Sequence, residues 1–245
     1  MLKILFKIYF WLIAIPVFAT ATLLTSITVI IGCILAGEIF FSYYPGMIWS
    51  RLACLLTLCP VKVVGREHIQ KGRSYVFVAN HQSAYDIFLI YGYIGSPIKW
   101  MMKKGLAKIP FVGYACRKAG FIFVDNSSAK AALKSIIEAE KIIKRGRGSL
   151  VVFPEGGRTP DGHLQRFKRG AYQVASNLQL PVIPITLNGP FNVMRMNSFN
   201  ILPHKMEMII HKAIEPPINA DKEQLQQLTD NTCNTIFSSL WKEFQ

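Results

Sequence analysis

Tyr75-Val76-Phe77-Val78-Ala79-Asn80-His81-Gln82-Ser83-Ala84-Tyr85-Asp86 is the stretch from which the fold can be read. Its first five residues form a short β-like run with no polar alternation, the pattern of a strand buried on both faces. A histidine and a carboxylate follow at once. In open α/β sheets ligands bind beyond the carboxyl ends of the strands, so chemistry is expected here. His81 can take and return a proton near neutrality, and a nearby carboxylate can fix its tautomer and stabilise the charged ring. Residues five apart on a regular helix point about 140° from each other. His81 is therefore expected in the turn before a helix, with Asp86 in the helix's first turns. The plainer alternative is an N-cap at Ser83, with His81 incidental. The sequence has no G-x-S-x-G elbow, so nothing points to a covalent intermediate on Ser83.

Strand candidates recur on either side of this stretch: Val61 to Val64, Ile98 to Met102, Phe121 to Val124, Ser149 to Phe153, Pro181 to Leu187 and Met206 to His211. Between and after them lie segments long enough for helices: Ser83 to Ile94, Ala129 to Lys144, Arg166 to Gln179 and Asp221 to Phe244. This alternation predicts an α/β sheet covered on both faces. Ahead of it, the 30 residues from Ile8 to Gly37 carry no formal charge. A second apolar stretch, Ile39 to Cys59, is interrupted only by Pro45-Gly46 and Arg51. A membrane span needs about 20 apolar residues, and the aromatics Phe40, Phe41, Tyr43, Tyr44 and Trp49 suit a headgroup interface. Residues 1–60 are read as a membrane-anchoring helical module and 61–245 as the α/β domain. Pro16 is expected to interrupt the first stretch, leaving one tilted span or two shorter helices within one leaflet. A signal peptide cleaved near Ala19-Thr20-Ala21 is the lesser alternative, because apolar sequence continues well past it.

The 245 residues hold 28 Lys/Arg against 14 Asp/Glu, a formal net charge of +14. Residues 99–169 hold 16 Lys/Arg against 5 Asp/Glu, so most of the excess lies there. Such an excess calls for an acidic partner: a phosphorylated substrate, an anionic membrane surface or nucleic acid. The apolar N-terminal module and the lack of a nucleic-acid-binding module exclude the last. Five scattered cysteines with no C-x-x-C pair and no zinc spacing imply reduced thiols. No metal and no cofactor are expected.

Four polar clusters follow strand candidates: Asn80 to Asp86; Lys103-Lys104-Gly105-Leu106; Asp125-Asn126; and Pro154-Glu155-Gly156-Gly157-Arg158-Thr159. Parallel strands would bring all four to one edge of the sheet. Gly156-Gly157 would let backbone N–H groups approach an anion closely, and Arg158 offers a planar donor fork suited to phosphate. The competing reading of Glu155 and Arg158 is an ion pair that merely stabilises the turn.

Asn80-His81-Gln82-Ser83-Ala84-Tyr85-Asp86 resembles the N-H-x-S-x-x-D motif of the glycerolipid acyltransferases. Phe153-Pro154-Glu155-Gly156-Gly157-Arg158-Thr159 resembles their F-P-E-G-T-R-S block, with the glycine-led segment Gly120 to Asp125 between the two and Leu180-Pro181-Val182-Ile183-Pro184-Ile185 after them. The resemblance covers roughly residues 60–215 and is strongest to the 1-acylglycerol-3-phosphate (lysophosphatidic acid) acyltransferase type. It implies a mixed, mostly parallel sheet covered by helices. It also implies transfer of a fatty acyl group from acyl-CoA or acyl carrier protein to the sn-2 hydroxyl of lysophosphatidic acid or a related lysolipid, giving phosphatidic acid. His81 would be the general base and Asp86 its holder. Lys103, Glu155, Gly156 and Arg158 would bind the acceptor, with Asn80, Ser83, Lys104 and Gly157 as further candidates. The enzyme would sit on the lipid bilayer, with its catalytic domain on the cytoplasmic side of a bacterial inner membrane. Two positions depart from the family pattern: Asp125-Asn126 stands where D-R is usual, so Asn126 replaces the arginine, and Gly157 stands where threonine is usual. The first removes a phosphate-binding cation, for which Lys104, Lys130 or Arg117 could substitute. An acyltransferase for another lysophospholipid or lyso-aminolipid, and a non-catalytic membrane-binding protein with this fold, are the rival readings.

Overall fold

The computed structural model describes residues 2–125, 127–145, 148–218 and 220–245. Seven strands form one sheet: β1 (Val61–Val64), β2 (Val76–Ala79), β3 (Ile98–Lys103), β4 (Ile122–Val124), β5 (Ser149–Val152), β6 (Val182–Asn188) and β7 (Met206–Ile210). Their order is β1-β7-β6-β2-β5-β3-β4. Five of the six pairings are parallel, and only β6 and β7 run antiparallel. The sheet is thus mixed and mostly parallel, and each predicted strand is present with its ends moved by a residue or so.

Strand β2 explains why the sheet must be covered on both sides. Its four side chains are fully buried and alternate: Phe77 and Ala79 enter one apolar core, Val76 and Val78 the other. Burying such side chains contributes roughly 1.5–3 kcal/mol each. The first core is closed by α2 (Ile15–Leu35), α3 (Glu38–Leu56), α4 (Tyr85–Tyr93) and α5 (Val112–Lys118) through Val29, Tyr43, Cys54, Leu89, Ile90 and Ala115. The second is closed by α6 (Ala129–Arg145), α7 (Gly170–Leu178) and α9 (Lys222–Ser238). A short α8 (Pro190–Val193) follows β6.

Three helical expectations need correction. Pro16 does not interrupt its segment: α1 (Leu2–Tyr9) runs through a π-helical turn, Phe10–Ala14, straight into α2. The wider π-helical turn just before it leaves room for the ring, so the helix continues past it. Helix α7 begins at Gly170, not Arg166, because Lys168 is drawn back by its N–H bond to the Pro154 carbonyl at 2.9 Å. Helix α9 stops at Ser238, short of Phe244, and Lys242–Phe244 form a separate 3₁₀ turn.

Among the described residues one helical stretch, Ile4–Leu35, is long and apolar enough to cross a membrane, with a mean hydropathy of 2.2. Four of its hydroxyls are satisfied internally: Thr20, Thr22, Ser26 and Thr28 each donate to the carbonyl four residues back at 2.7–3.0 Å. The same stretch is also seated on the domain. The Phe18 ring stacks on Trp49 at 5.3 Å and meets Phe88 edge-on at 5.7 Å, while Trp49 Nε1 donates to Thr22 Oγ1 at 2.8 Å.

Strand order then decides which clusters meet. Because β5 sits between β2 and β3, the edge reads, in sequence, the His81 segment after β2, the Pro154–Thr159 loop after β5, Lys103 closing β3, and Asp125 after β4. The register Val78↔Val152 sets the residues beyond β2 directly beside those beyond β5.

Candidate active site

His81 lies in the turn between β2 and α4, and Asp86 in the first turn of α4. His81 Nδ1 is 2.8 Å from Asp86 Oδ2. That one oxygen also accepts the N–H groups of Gln82 at 2.6 Å and Ser83 at 2.7 Å. Short, charge-assisted bonds of this kind fix the carboxylate firmly. Asp86 is 0% exposed and the His81 side chain 15% exposed, so the imidazole alone reaches the surface. Its ring stacks on Phe153 at 3.9 Å with 10° between planes, and Phe153 rests on Trp100 at 5.8 Å. With Nδ1 held, Nε2 makes no hydrogen bond among the described residues.

The Pro154–Thr159 loop grips the same histidine by its backbone. His81 N–H donates to Glu155 Oε1 at 2.7 Å, and Thr159 N–H donates to the His81 carbonyl at 2.9 Å. Glu155 Oε2 accepts from Gln165 N–H at 3.0 Å. This buried carboxylate faces inward and forms no ion pair with Arg158, contrary to the turn-pair reading. Both of its oxygens are occupied by backbone N–H donors, one of them that of His81 itself. Burial pushes its carboxyl up to about 7, against the pull of the two N–H donors.

Asn80 and Ser83 also lie behind the site. The Asn80 amide is spent on β6, donating to the Leu187 carbonyl at 3.0 Å and accepting from Leu187 N–H at 2.8 Å. Ser83 Oγ donates to the Met194 carbonyl at 2.6 Å. Both are fully buried. They build the loop and present nothing to a ligand.

The cations are arranged differently from the expectation. Lys104 is 3.0 Å from Asp125 Oδ2, and hydrogen bonds from Ser127, with Lys104 beside it, hold the Asp125 carboxyl well below the usual range. Lys104 is therefore committed. Asn126, the position of the missing arginine, lies outside the described residues. Gly156 has φ +78°, and a Cβ there would come within 2.5 Å of the Lys168 ammonium; a Cβ on Gly157 would come no nearer than 4.0 Å to that of Lys103. Two lysines thus flank the glycine turn, and neither has a carboxylate partner among the described residues. Gly156 is favoured by its left-handed backbone, since the Lys168 end above it can swing aside, whereas Gly157 has neither constraint. Lys168 was missed from sequence because it lies 12 residues beyond Gly156 and returns only through the Lys168–Pro154 backbone bond. Arg158 is part-buried in the same turn and has no ion-pair partner among the described residues. Among the described residues no cluster of His, Cys, Asp or Glu could hold a metal ion.

A histidine oriented by a carboxylate, opening onto a turn surrounded by cations, can deprotonate a hydroxyl on an anionic molecule. Comparisons with known proteins place the chain by sequence and fold. A 1-acyl-sn-glycerol-3-phosphate acyltransferase of Chlamydomonas reinhardtii is 28% identical over 97% of this chain and 69% of its own length. A chloroplastic relative of that name from Arabidopsis thaliana is 31% identical over 82% of this chain and 53% of its own. One from Pseudomonas aeruginosa is 34% identical over 57% and 55%. The chain therefore spans little more than half the length of two of these three curated relatives. The crystal structure of the 1-acyl-sn-glycerophosphate acyltransferase PlsC from Thermotoga maritima superposes with a TM-score of 0.77 at 25% identity, covering 98% of both chains. The family model described as Acyltransferase matches residues 60–188, more than half of the chain and every element that shapes the site described above, so the chain belongs to the acyltransferase family.

Proposed function

We propose that the chain is a 1-acylglycerol-3-phosphate O-acyltransferase, with His81 as general base and Asp86 as its positioning partner. The observation that carries this reading is the 2.8 Å His81–Asp86 contact beside a glycine turn flanked by Lys103 and Lys168. The sn-2 hydroxyl of the lysolipid gives its proton to His81 Nε2 as its oxygen attacks the thioester carbonyl carbon. The new C–O bond forms, the tetrahedral oxyanion collapses, and the C–S bond breaks. The departing thiolate takes the proton back from the imidazolium, so base and acid are one residue and nothing is left on the protein. Asp86 stabilises the charge that His81 carries in between. Lys103, Arg158 and Lys168 bind the phosphate of the acceptor, with Lys168 supplying the cation that Asn126 fails to provide. Residues 2–56 hold the domain on the bilayer, with the catalytic domain on the cytoplasmic side. The phosphate-suited cations favour lysophosphatidate over lyso-aminolipids.

The test is mass spectrometry of lipid products after incubation with lysophosphatidate, competing lysolipids and both acyl-CoA and acyl carrier protein donors. Phosphatidate should dominate. Acylation confined to a cationic or uncharged lysolipid would refute the acceptor, and no product with any donor would favour a non-catalytic protein. His81→Ala should lower turnover by about 10²–10⁴-fold or more while vesicle association persists.

A further inference from the structure

Directly after Lys103, between the site and α5, the chain makes a compact elbow. Lys104–Lys108 form a 3₁₀ turn, and Phe111 then sits at the point of a γ-turn closed by Val112 N–H to the Pro110 carbonyl at 2.6 Å. Phe111 has φ +58° and ψ −53°, a conformation that is uncommon for a bulky residue and carries strain. The turn is packed against the start of α5: a Cβ on Gly113 would stand 2.3 Å from the Ala107 carbonyl oxygen. The elbow is therefore preformed. Its outward side is apolar, with Leu106, Ile109, Phe111 and Tyr114 exposed by 40% to 58%. The same segment carries Lys108, Arg117 and Lys118, the last over the Tyr114 ring at 5.5 Å, and residues 104–124 contain no acidic side chain, Lys104 being paired with Asp125 just beyond.

We propose that this elbow is a second membrane-contacting surface, one that inserts Leu106, Ile109 and Phe111 among the headgroups of an anionic bilayer and holds the Lys103 side of the site against the lipid. Continuity argues for this occupant. The inner side of α5, through Ala115 and Ala119, shares a small cavity with Thr22, Ser26 and Val29 of α2. The outer side of α2 exposes Leu23, Leu24, Ile27 and Ile31. Through α5 the elbow thus adjoins the exposed apolar side of α2. Its composition, large apolar side chains in a segment rich in lysine and arginine, is that of interfacial insertion supported by anionic headgroups. An acidic carrier protein would match the cations but would leave the apolar tip without a role. The proposal rests on the bilayer reading of the acceptor and deepens it: the lysolipid would enter beside Lys103 without leaving the membrane.

The experiment places the photoreactive p-benzoylphenylalanine at position 111, and separately at 114, in the full chain. Position 237 serves as control, since Phe237 is exposed on α9 at the opposite face of the sheet. After irradiation with vesicles containing phosphatidylglycerol, lipid adducts are expected at 111 and 114 and not at 237. Adducts equal at all three positions, none at 111 and 114, or adducts to added acyl carrier protein in place of lipid would each overturn the proposal. A kinetic arm uses Phe111→Ser. It should raise KM at least fivefold for lysophosphatidate presented in vesicles, with kcat and the KM for a short-chain, water-soluble acceptor unchanged. An equal rise for both acceptors would contradict it. Crosslinking does not depend on turnover, so an inactive protein that still forms lipid adducts would sink the enzymatic reading and leave the elbow standing.

Discussion

At the scale of single residues, Asp86 is the clearest test of how the histidine is held. All three donors converge on Oδ2, and Oδ1 is buried without a partner among the described residues. Asp86→Asn can therefore keep its carbonyl oxygen toward the donors and turn its amide into the free position. The geometry survives and the charge is lost. Turnover should fall by about 10²–10⁴-fold with little change in melting temperature; a large loss of stability with normal specific activity would contradict the assignment. Glu155 gives a pH signature. Its folded pKa is raised to about 7 from an ordinary 4.5, so the folded state binds the proton more tightly. The stability it contributes is complete below about 4.5 and is lost as pH rises through about 7. Glu155→Gln should flatten the melting-temperature profile between those values, and an unchanged slope would remove Glu155 as its source. Gly157 has an ordinary backbone and open space, so Gly157→Thr should fold normally, with stability unchanged or higher by up to about 1 kcal/mol in thermal unfolding. The His81/Asp86 pair and the glycine turn were legible in the sequence because each lies within a few consecutive residues. The inward role of Glu155, the commitment of Asn80 and Ser83 and the arrival of Lys168 were not, because all depend on loops closing across two strands.

At the scale of elements, the strands were legible because buried parallel strands announce themselves as short apolar runs between polar turns. Their order was not. Nothing local says that β5 inserts between β2 and β3, yet that insertion puts the Glu155 loop beside His81. The close crossing of α3 and α4 was equally invisible. A Cβ on Gly46 would fall 2.4 Å from the buried Tyr91 ring, so Gly46→Ala should cost about 1–3 kcal/mol in thermal unfolding. Wild-type stability in that variant would mean that the two helices can part. Lys99 ties α3 to the sheet from below. Its ammonium meets Glu38 and the Ala119 carbonyl, the latter at 2.6 Å, with 7% of its side chain exposed. Because Glu38 is half exposed, its removal should cost only about 1–3 kcal/mol.

At the scale of the molecule, the apolar N-terminal helices and the basic excess would act on one target, the proposed anionic bilayer. Helices α2 and α3 contribute Val29, Tyr43 and Cys54 to the core that also holds Phe77 of β2, so the segment proposed to touch lipid also braces the sheet under the site. The net charge of +14 adds an electrostatic term on an anionic bilayer. That term is screened as the Debye length shrinks from about 10 Å at 0.1 M salt to 3 Å at 1 M, while the apolar term persists. In the proposed reaction one imidazole, held by one carboxylate, removes the proton from a lipid alcohol. Free-thiol release by the purified full chain in anionic vesicles, with lysophosphatidate and an acyl thioester, tests it most directly when wild type and His81→Ala are compared at equal vesicle occupancy. Thiol release matched one-to-one by phosphatidate is expected in the wild type, and near-background release in the variant. Comparable release from both would contradict it.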